Sequence, residues 1–232
     1  MIKEQDKNIY KPFLDAVNYA IDGVISDQNK KPVFLDAGCG HSSTLSEEYK
    51  RCTSIIGVDL DKEGLSKNEL VNRKIYADLI DIPLADQSVD IISSAWVLEH
   101  ISQPEKFVKE CSRLIKLNGY FVFIAPNRSS VTGIFNRLAP GFMHKKLVRL
   151  LYGRDEEDTF PTVYHLNTEK DLDRLMILSG FKKVRFVYND DVLFFGFNFL
   201  TRPFARLWHK IVMTKGFKKM RANIIGVYKK ND

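Results

Sequence analysis

The feature that most constrains this chain is a regular alternation of short apolar runs and amphipathic stretches between residues 33 and 126. PVFLDAGCG reads as a strand entering a glycine-rich turn. SSTLSEEYKR follows with hydroxyl residues able to cap a helix and acids in its early turns. The pattern repeats with SIIGVD, KIYAD, VDIISSAW and YFVFIAP as strands, and KEGLSKNELV and PEKFVKECSRLIKL as helices. The apolar runs in VDIISSAW and YFVFIAP are nearly continuous, as in strands covered on both faces. Strands alternating with helices predict a doubly wound, mostly parallel sheet.

The flanks extend this core. Residues 9–25 place Ile9, Phe13, Val17, Ala20, Ile21, Val24 and Ile25 at helical spacing, predicting an opening amphipathic helix. After Pro126 the alternation breaks for about forty residues containing FMHKKLVRLLYG, an acidic patch from Asp155 to Asp158, and PTVYHLNT. An insertion at the carboxyl end of a strand is placed to act as a lid over a ligand, or is a structural helical excursion. A helix TEKDLDRLMILSG, a strand FKKVRFVY and a final strand ANIIGVYK then close the chain. The expected organisation is one domain over 1–232. It comprises an N-terminal helix (1–30), a core (31–127), a lid insertion after strand 5 (128–167) and a C-terminal part (168–232) with an insertion between strands 6 and 7 (190–221).

Composition narrows the function classes. With 232 residues and 44% hydrophobic content the chain can bury a sizeable core, which excludes disordered and collagen-like classes. Cys39, Cys52 and Cys111 lie far apart without metal-ligand spacing. No apolar signal-peptide region opens the chain and no apolar run is long enough to span a bilayer, so a reducing cytoplasm is the expected setting. The net charge of +6 is uneven: residues 201–232 hold nine Lys or Arg and one acid, whereas residues 1–200 hold 26 basic and 28 acidic groups.

The turn Asp36-Ala37-Gly38-Cys39-Gly40 lets backbone approach a ligand where side chains would collide. A dinucleotide site would prefer a third glycine where Ser43 stands, which disfavours a nicotinamide-dependent oxidoreductase. Nineteen residues after Gly40, Asp59 ends the next strand, where a carboxylate can accept hydrogen bonds from both hydroxyls of a ribose. Together these point to a nucleoside-containing ligand.

VFLDAGCG, IIGVDLD and ADLIDIPLADQSVDIISSAWVLEHISQPEKFVKECSRLIKLNGYFVFIAPN together resemble the class I S-adenosylmethionine-dependent methyltransferases. Within them, the resemblance is to the small-molecule group (methyltransferase type 11) that includes ubiquinone and menaquinone biosynthesis enzymes. Two departures stand out: the usual Pro-Gly-Gly turn reads Leu117-Asn118-Gly119-Tyr120, and Cys39 and His41 vary the glycine loop. The resemblance implies a Rossmann-like, seven-stranded α/β sheet with an antiparallel last strand, and S-adenosylmethionine as cofactor with S-adenosylhomocysteine as product. It also implies that Asp36, Gly38, Cys39 and Gly40 surround the methionine part. Asp59 would hold the ribose, with Leu60 packing on adenine and Asp78 and Leu79 at its edge. Ser94, Ala95 and Trp96 would lie near the sulfonium. Methyl transfer needs alignment rather than a metal, and a hydroxyl acceptor needs a base: His100 is the first candidate and His165, beside Tyr164, the second. Tyr164 and His165 are also candidate substrate contacts.

Neither the (Asn/Asp)-Pro-Pro-aromatic loop of base-amine methyltransferases nor a Pro-Cys nucleophile is present, which disfavours DNA-base methylation. The expected acceptor is a small molecule, an oxygen of a sugar, glycan or lipid-linked intermediate. C-methylation of a prenylated quinone is the alternative, and a non-catalytic cofactor-binding module the alternative of another class. In residues 191–221, Phe204, Leu207, Trp208, Ile211 and Val212 recur at helical spacing among cations. Such a segment suits an anionic membrane surface, coverage of the sheet edge, or a homodimer contact. No RNA- or DNA-recognition motif accompanies the charge.

Overall fold

A computed structural model of the chain describes residues 7–130, 133–134, 162–190 and 202–231. A helix α1 (Lys7–Gln28) leads into β1 (Val33–Ala37), a one-turn α2 (Ser46–Tyr49), β2 (Ser54–Asp59), α3 (Lys62–Lys67) and β3 (Arg73–Tyr76). Then come β4 (Val89–Ala95), a 3-10 turn (Leu98–His100), α4 (Pro104–Leu114), β5 (Ile115–Pro126), α5 (Glu169–Leu178), β6 (Phe181–Asn189), α6 (Arg202–Val212), a second 3-10 turn (Lys215–Met220) and β7 (Asn223–Lys230).

The seven strands form one sheet in the order β3-β2-β1-β4-β5-β7-β6. Pairings from β3 through β5 are parallel, and β7 runs antiparallel to both β5 and β6. This is the doubly wound, mostly parallel sheet that the alternation predicted, with the antiparallel last strand that the resemblance implied. The strand order reverses direction between β1 and β4, so a crevice opens at their carboxyl ends, where sheets of this type bind ligands.

Side-chain alternation along each strand builds two cores. Phe34, Ile91, Val122 and Val227 pack under Phe13, Val17, Ile21 and Val24 of α1, all almost fully buried. Leu35, Ile92, Phe121 and Tyr228 face Phe107 and Cys111 of α4 and Leu172 and Met176 of α5. Burying one such side chain contributes roughly 1.5–3 kcal/mol, so covering both faces is what holds the sheet.

Three helices are shorter than predicted. The glycine turn does not feed straight into a helix: five residues intervene, with Leu45 N–H donating to Ser43 Oγ, and only Ser46–Tyr49 is helical. Hydroxyl side chains here compete for the backbone groups that a helix would use. The helix over KEGLSKNELV stops at Lys67, because Asn68 is extended and its buried side chain donates to the Gly40 carbonyl at 3.1 Å. The helix begun at Pro104 ends at Leu114, and Ile115 already pairs with Val89, so β5 starts before YFVFIAP. Asn118 at φ +64° and Gly119 sit in the shifted register that follows, inside the strand's entry rather than ahead of it.

Of the proposed lid, residues 131–132 and 135–161, including FMHKKLVRLLYG and the acidic patch, lie outside the described residues, as do residues 191–201 of the later insertion.

Candidate functional site

The carboxyl ends of β1, β2 and β4 converge on a cavity of about 450 Å³. Its described lining is Gly38, Asp59, Leu60, Asp78, Leu79, Ile80, Trp96, Val97, His100, Ile101, Ser102, Gln103 and Val163. A larger depression of about 600 Å³ lies at the opposite end of the sheet, but charged and amide side chains of turns such as Gln87, Lys116 and Asn118 line it. The smaller cavity is apolar with a few converging polar groups, the usual make-up of a ligand pocket.

The glycine loop is shaped by backbone conformation. Gly38 has φ +75°, and a Cβ there would stand 2.3 Å from Val97 Cγ2, so only glycine lets β1's exit pass the turn after β4. Gly40 has φ +49° with open space where a Cβ would point. Its N–H donates to Asp59 Oδ2 at 2.7 Å, while Asp59 Oδ1 accepts from Asp61 N–H at 2.8 Å. Each Asp59 oxygen thus keeps lone-pair capacity facing the cavity. The cap of α3 is Asp61, which accepts from Gly64 N–H, leaving Asp59 without that helix-capping duty.

Leu60 forms the rim with nearly half its surface uncovered (47%), although it is a large apolar side chain. Asp78 is a turn acid, its carboxylate accepting from Ile80 N–H at 3.2 Å, and it also lines the cavity beside buried Leu79. Trp96 both packs and faces the cleft. It stands at φ +61°, donates from Nε1 to Tyr10 Oη of α1 at 3.0 Å, and meets that ring edge-on. His100 closes the 3-10 turn on the cavity wall, where its N–H donates to the Val97 carbonyl.

Several predicted site residues lie beneath the cavity rather than in its described lining. Asp36 is buried: the Tyr49 hydroxyl donates to its Oδ2, and Ser93 Oγ donates to its Oδ1 at 3.1 Å. Burial pushes its carboxyl above the ordinary range, against the opposing pull of those two hydroxyls. Its place is under the glycine loop, which it braces through Tyr49 and Ser93. Cys39 packs into the α1 core, and burial pushes its thiol up to about 12. Ser94 is fully buried, with no partner for its Oγ among the described residues, and Ala95 packs toward the α1 core.

Val163, absent from the sequence reading, arrives from beyond the long excursion. Its N–H donates to the Glu99 carbonyl at 2.7 Å, and Tyr164 N–H donates to the same oxygen at 3.1 Å. Tyr164 is half-buried at φ +56°, while His165 is exposed and outside the described lining. The Glu99 side chain is 5% exposed and its Oε2 has no hydrogen-bond partner among the described residues. Burial raises its carboxyl to about 7. The sequence signal for Val163 was only the composition of PTVYHLNT, and for Glu99 its place before His100.

Residues 35–123 match the family model described as a methyltransferase domain. That stretch, well under half of the chain, is similar to methyltransferase domains. The chain is 31% identical over 99 residues to a probable S-adenosylmethionine-dependent methyltransferase of Mycolicibacterium smegmatis, covering 40% of this chain and 38% of that one. It is 26% identical over 142 residues to a ubiquinone biosynthesis O-methyltransferase of Nitrosomonas europaea, covering 57% and 59%. The aligned stretches therefore span less than two thirds of those relatives. Solved structures extend the likeness of the fold to nearly the whole chain. A putative S-adenosylmethionine-dependent methyltransferase from Listeria monocytogenes superposes with TM-score 0.61 at 11% identity, over 97% of this chain and 99% of that one. A geranyl diphosphate C-methyltransferase from Streptomyces coelicolor, solved with S-adenosyl-L-homocysteine, gives 0.57 at 14% identity over 92% and 78%.

The cavity carries groups that fit the adenosyl cofactor of these similar proteins. Asp59 has capacity for ribose hydroxyls, uncovered Leu60 with Leu79 offers a flat apolar surface for a base, and the space over Gly40 is open.

Proposed function

We propose that the chain transfers a methyl group from S-adenosylmethionine to a small-molecule acceptor bound in this cleft. The observation that carries the reading is Asp59, fixed at the end of β2 by Gly40 N–H and facing a cavity whose rim is an uncovered leucine. The cofactor supplies a methyl group already activated by positive sulfur. The protein's own work is then to orient the acceptor, exclude water and, for a hydroxyl, receive a proton. His100 lies on the cavity wall and is the group we assign to that proton, which favours an oxygen acceptor over carbon; His165 is left as a contact for a larger acceptor. The acceptor class that fits is a sugar, glycan or lipid-linked hydroxyl, held between His100, Gln103 and Val163. In this reading residues 31–127 hold the cofactor and Val163 lies on the acceptor side.

Calorimetric titration with S-adenosylmethionine, S-adenosylhomocysteine and NAD tests the first step. Saturable binding of both adenosyl ligands, lost in Asp59→Ala and absent for NAD, is the expected result. A folded protein that binds neither overturns the reading. Binding without turnover over a panel of hydroxyl and carbon acceptors, followed with labelled methyl donor, would return the chain to a non-catalytic binding role.

A further inference from the structure

α6 uses one side to attach and leaves the other uncovered. Val212 is fully buried, and His209 Nδ1 lies 2.9 Å from Asp190 Oδ2. The Arg221 guanidinium donates to the carbonyls of Tyr188, Val212 and Met213 at 2.9–3.1 Å, clamping the segment's exit to the end of β6. The apolar stripe read from the sequence is therefore split. Val212 turns inward and Trp208 is half-buried, whereas Leu207 (59%) and Ile211 (37%) face out, continued by Met213 (49%) and Phe217 (45%).

The exposed charged residues described on this segment are all cationic. Arg206, Lys210, Lys215, Lys218 and Lys219 are exposed, and among the described residues none of them is in an ion pair. No acidic residue occurs between Arg202 and Asn231. Apolar side chains interleaved with unpaired cations match the boundary of an anionic bilayer, where headgroups meet the charges and acyl chains receive the apolar groups. Two other occupants fit less well. A symmetric contact between two copies would set each set of five cations against its own image. A phosphate backbone would leave Leu207, Ile211 and Phe217 with no partner.

The segment's position gives the charge pattern a use. Asn127, just past β5, donates from Nδ2 to the carbonyls of Lys219 and Arg221 at 2.8 Å, and its N–H donates to the Ala222 carbonyl at 2.7 Å. The second 3-10 turn is thus bolted to the carboxyl end of the parallel strands, the end at which the Asp59 cavity opens.

We propose that the outward face of α6 and the 215–220 turn docks on an anionic lipid bilayer, with the cavity on the same end of the sheet as the docking surface. Delivery of a lipid-borne acceptor follows only if the cleft is the methyl-transfer site proposed above; the docking itself does not depend on that reading. Flotation of the full chain with phosphatidylcholine vesicles, with and without phosphatidylglycerol, tests it. The protein is expected to float with the anionic vesicles only. Lys210→Glu with Lys218→Glu should lower partitioning by about tenfold or more. Leu207→Ser with Ile211→Ser should lower it severalfold while leaving salt sensitivity in place.

Calorimetric titration with S-adenosylhomocysteine, run on the same variants, separates docking from folding and from the cofactor reading. Unchanged adenosyl binding with lost flotation supports docking through this face, and flotation by a protein that binds no adenosyl ligand sinks only the methyl-transfer reading. No flotation of the wild type overturns the proposal, as does flotation that the apolar variant leaves untouched. A concentration-dependent dimer abolished by Leu207→Ser with Ile211→Ser overturns it in favour of self-association.

Discussion

At the scale of single residues, Glu99 is the group whose surroundings most conflict with its chemistry. Its carboxyl is buried and raised to about 7, so between the ordinary carboxylate range and pH 7 the folded protein keeps a proton that the unfolded chain releases. Stability therefore falls as pH rises through that window and levels off above it. Glu99→Gln is expected to flatten this dependence, stabilising the protein by up to about 3 kcal/mol at pH 8 and changing little at pH 4. Urea denaturation at the two pH values measures both numbers, and equal effects at both would refute the burial argument. Trp96 offers a second residue-scale reading, because it is one of only two tryptophans and lines the cavity. Adenosyl ligand should change the protein's fluorescence, and Trp96→Phe should abolish that change while Trp208→Phe should not. Asp59 and the glycine pair were legible in the sequence, because backbone conformation and strand-end position both leave marks on residue type. The bracing role of Asp36 was not: its partners Tyr49 and Ser93 come from separate elements, and no local pattern pairs them.

At the scale of elements, the strands were read well and the helices too long. Strand identity follows from β-branched and aromatic runs that need burial on two faces, whereas a helix end is decided by one side chain finding a better partner. Asn68 does this by donating to the Gly40 carbonyl, a contact 28 residues away in sequence. Asp90 was missed for the same reason: fully buried inside β4, it accepts from Val33 N–H at 2.8 Å and from Lys116 Nζ at 3.0 Å. Removing it strands an amide and a cation together, so Asp90→Ala is expected to cost about 3–5 kcal/mol in urea denaturation, while Asp90→Asn costs less. In β7, Gly226 leaves room for the Phe123 ring, which a Cβ would approach to 2.4 Å. That ring is stacked with Phe121 and with Tyr228, so it has little freedom to move aside. Gly226→Ala should destabilise by about 1–3 kcal/mol through overpacking, and an unchanged denaturation midpoint would show that the ring rotates away.

For the whole molecule, a ligand that binds only the folded state must raise its stability. S-adenosylhomocysteine at about a hundred times its dissociation constant should add about 2.7 kcal/mol, and nothing in Asp59→Ala. Thermal unfolding with and without ligand checks this. Sheet class was legible because alternation dictates it, whereas the antiparallel last strand was implied only by the family resemblance. The far wall of the cavity was not, since Val163 reaches Glu99 through backbone groups that carry no sequence signature. The strand order has a further effect during synthesis. β7 is made after both β5 and β6, yet it sits between them. Until residues 223–230 leave the ribosome, the nascent sheet ends at β5 and β6 has no neighbour on either side. A message cut short before that point yields a chain with raw strand edges open to other chains. The strand between β5 and β6 thus acts as their cover, separating molecules that carry it from fragments that lack it by their tendency to aggregate.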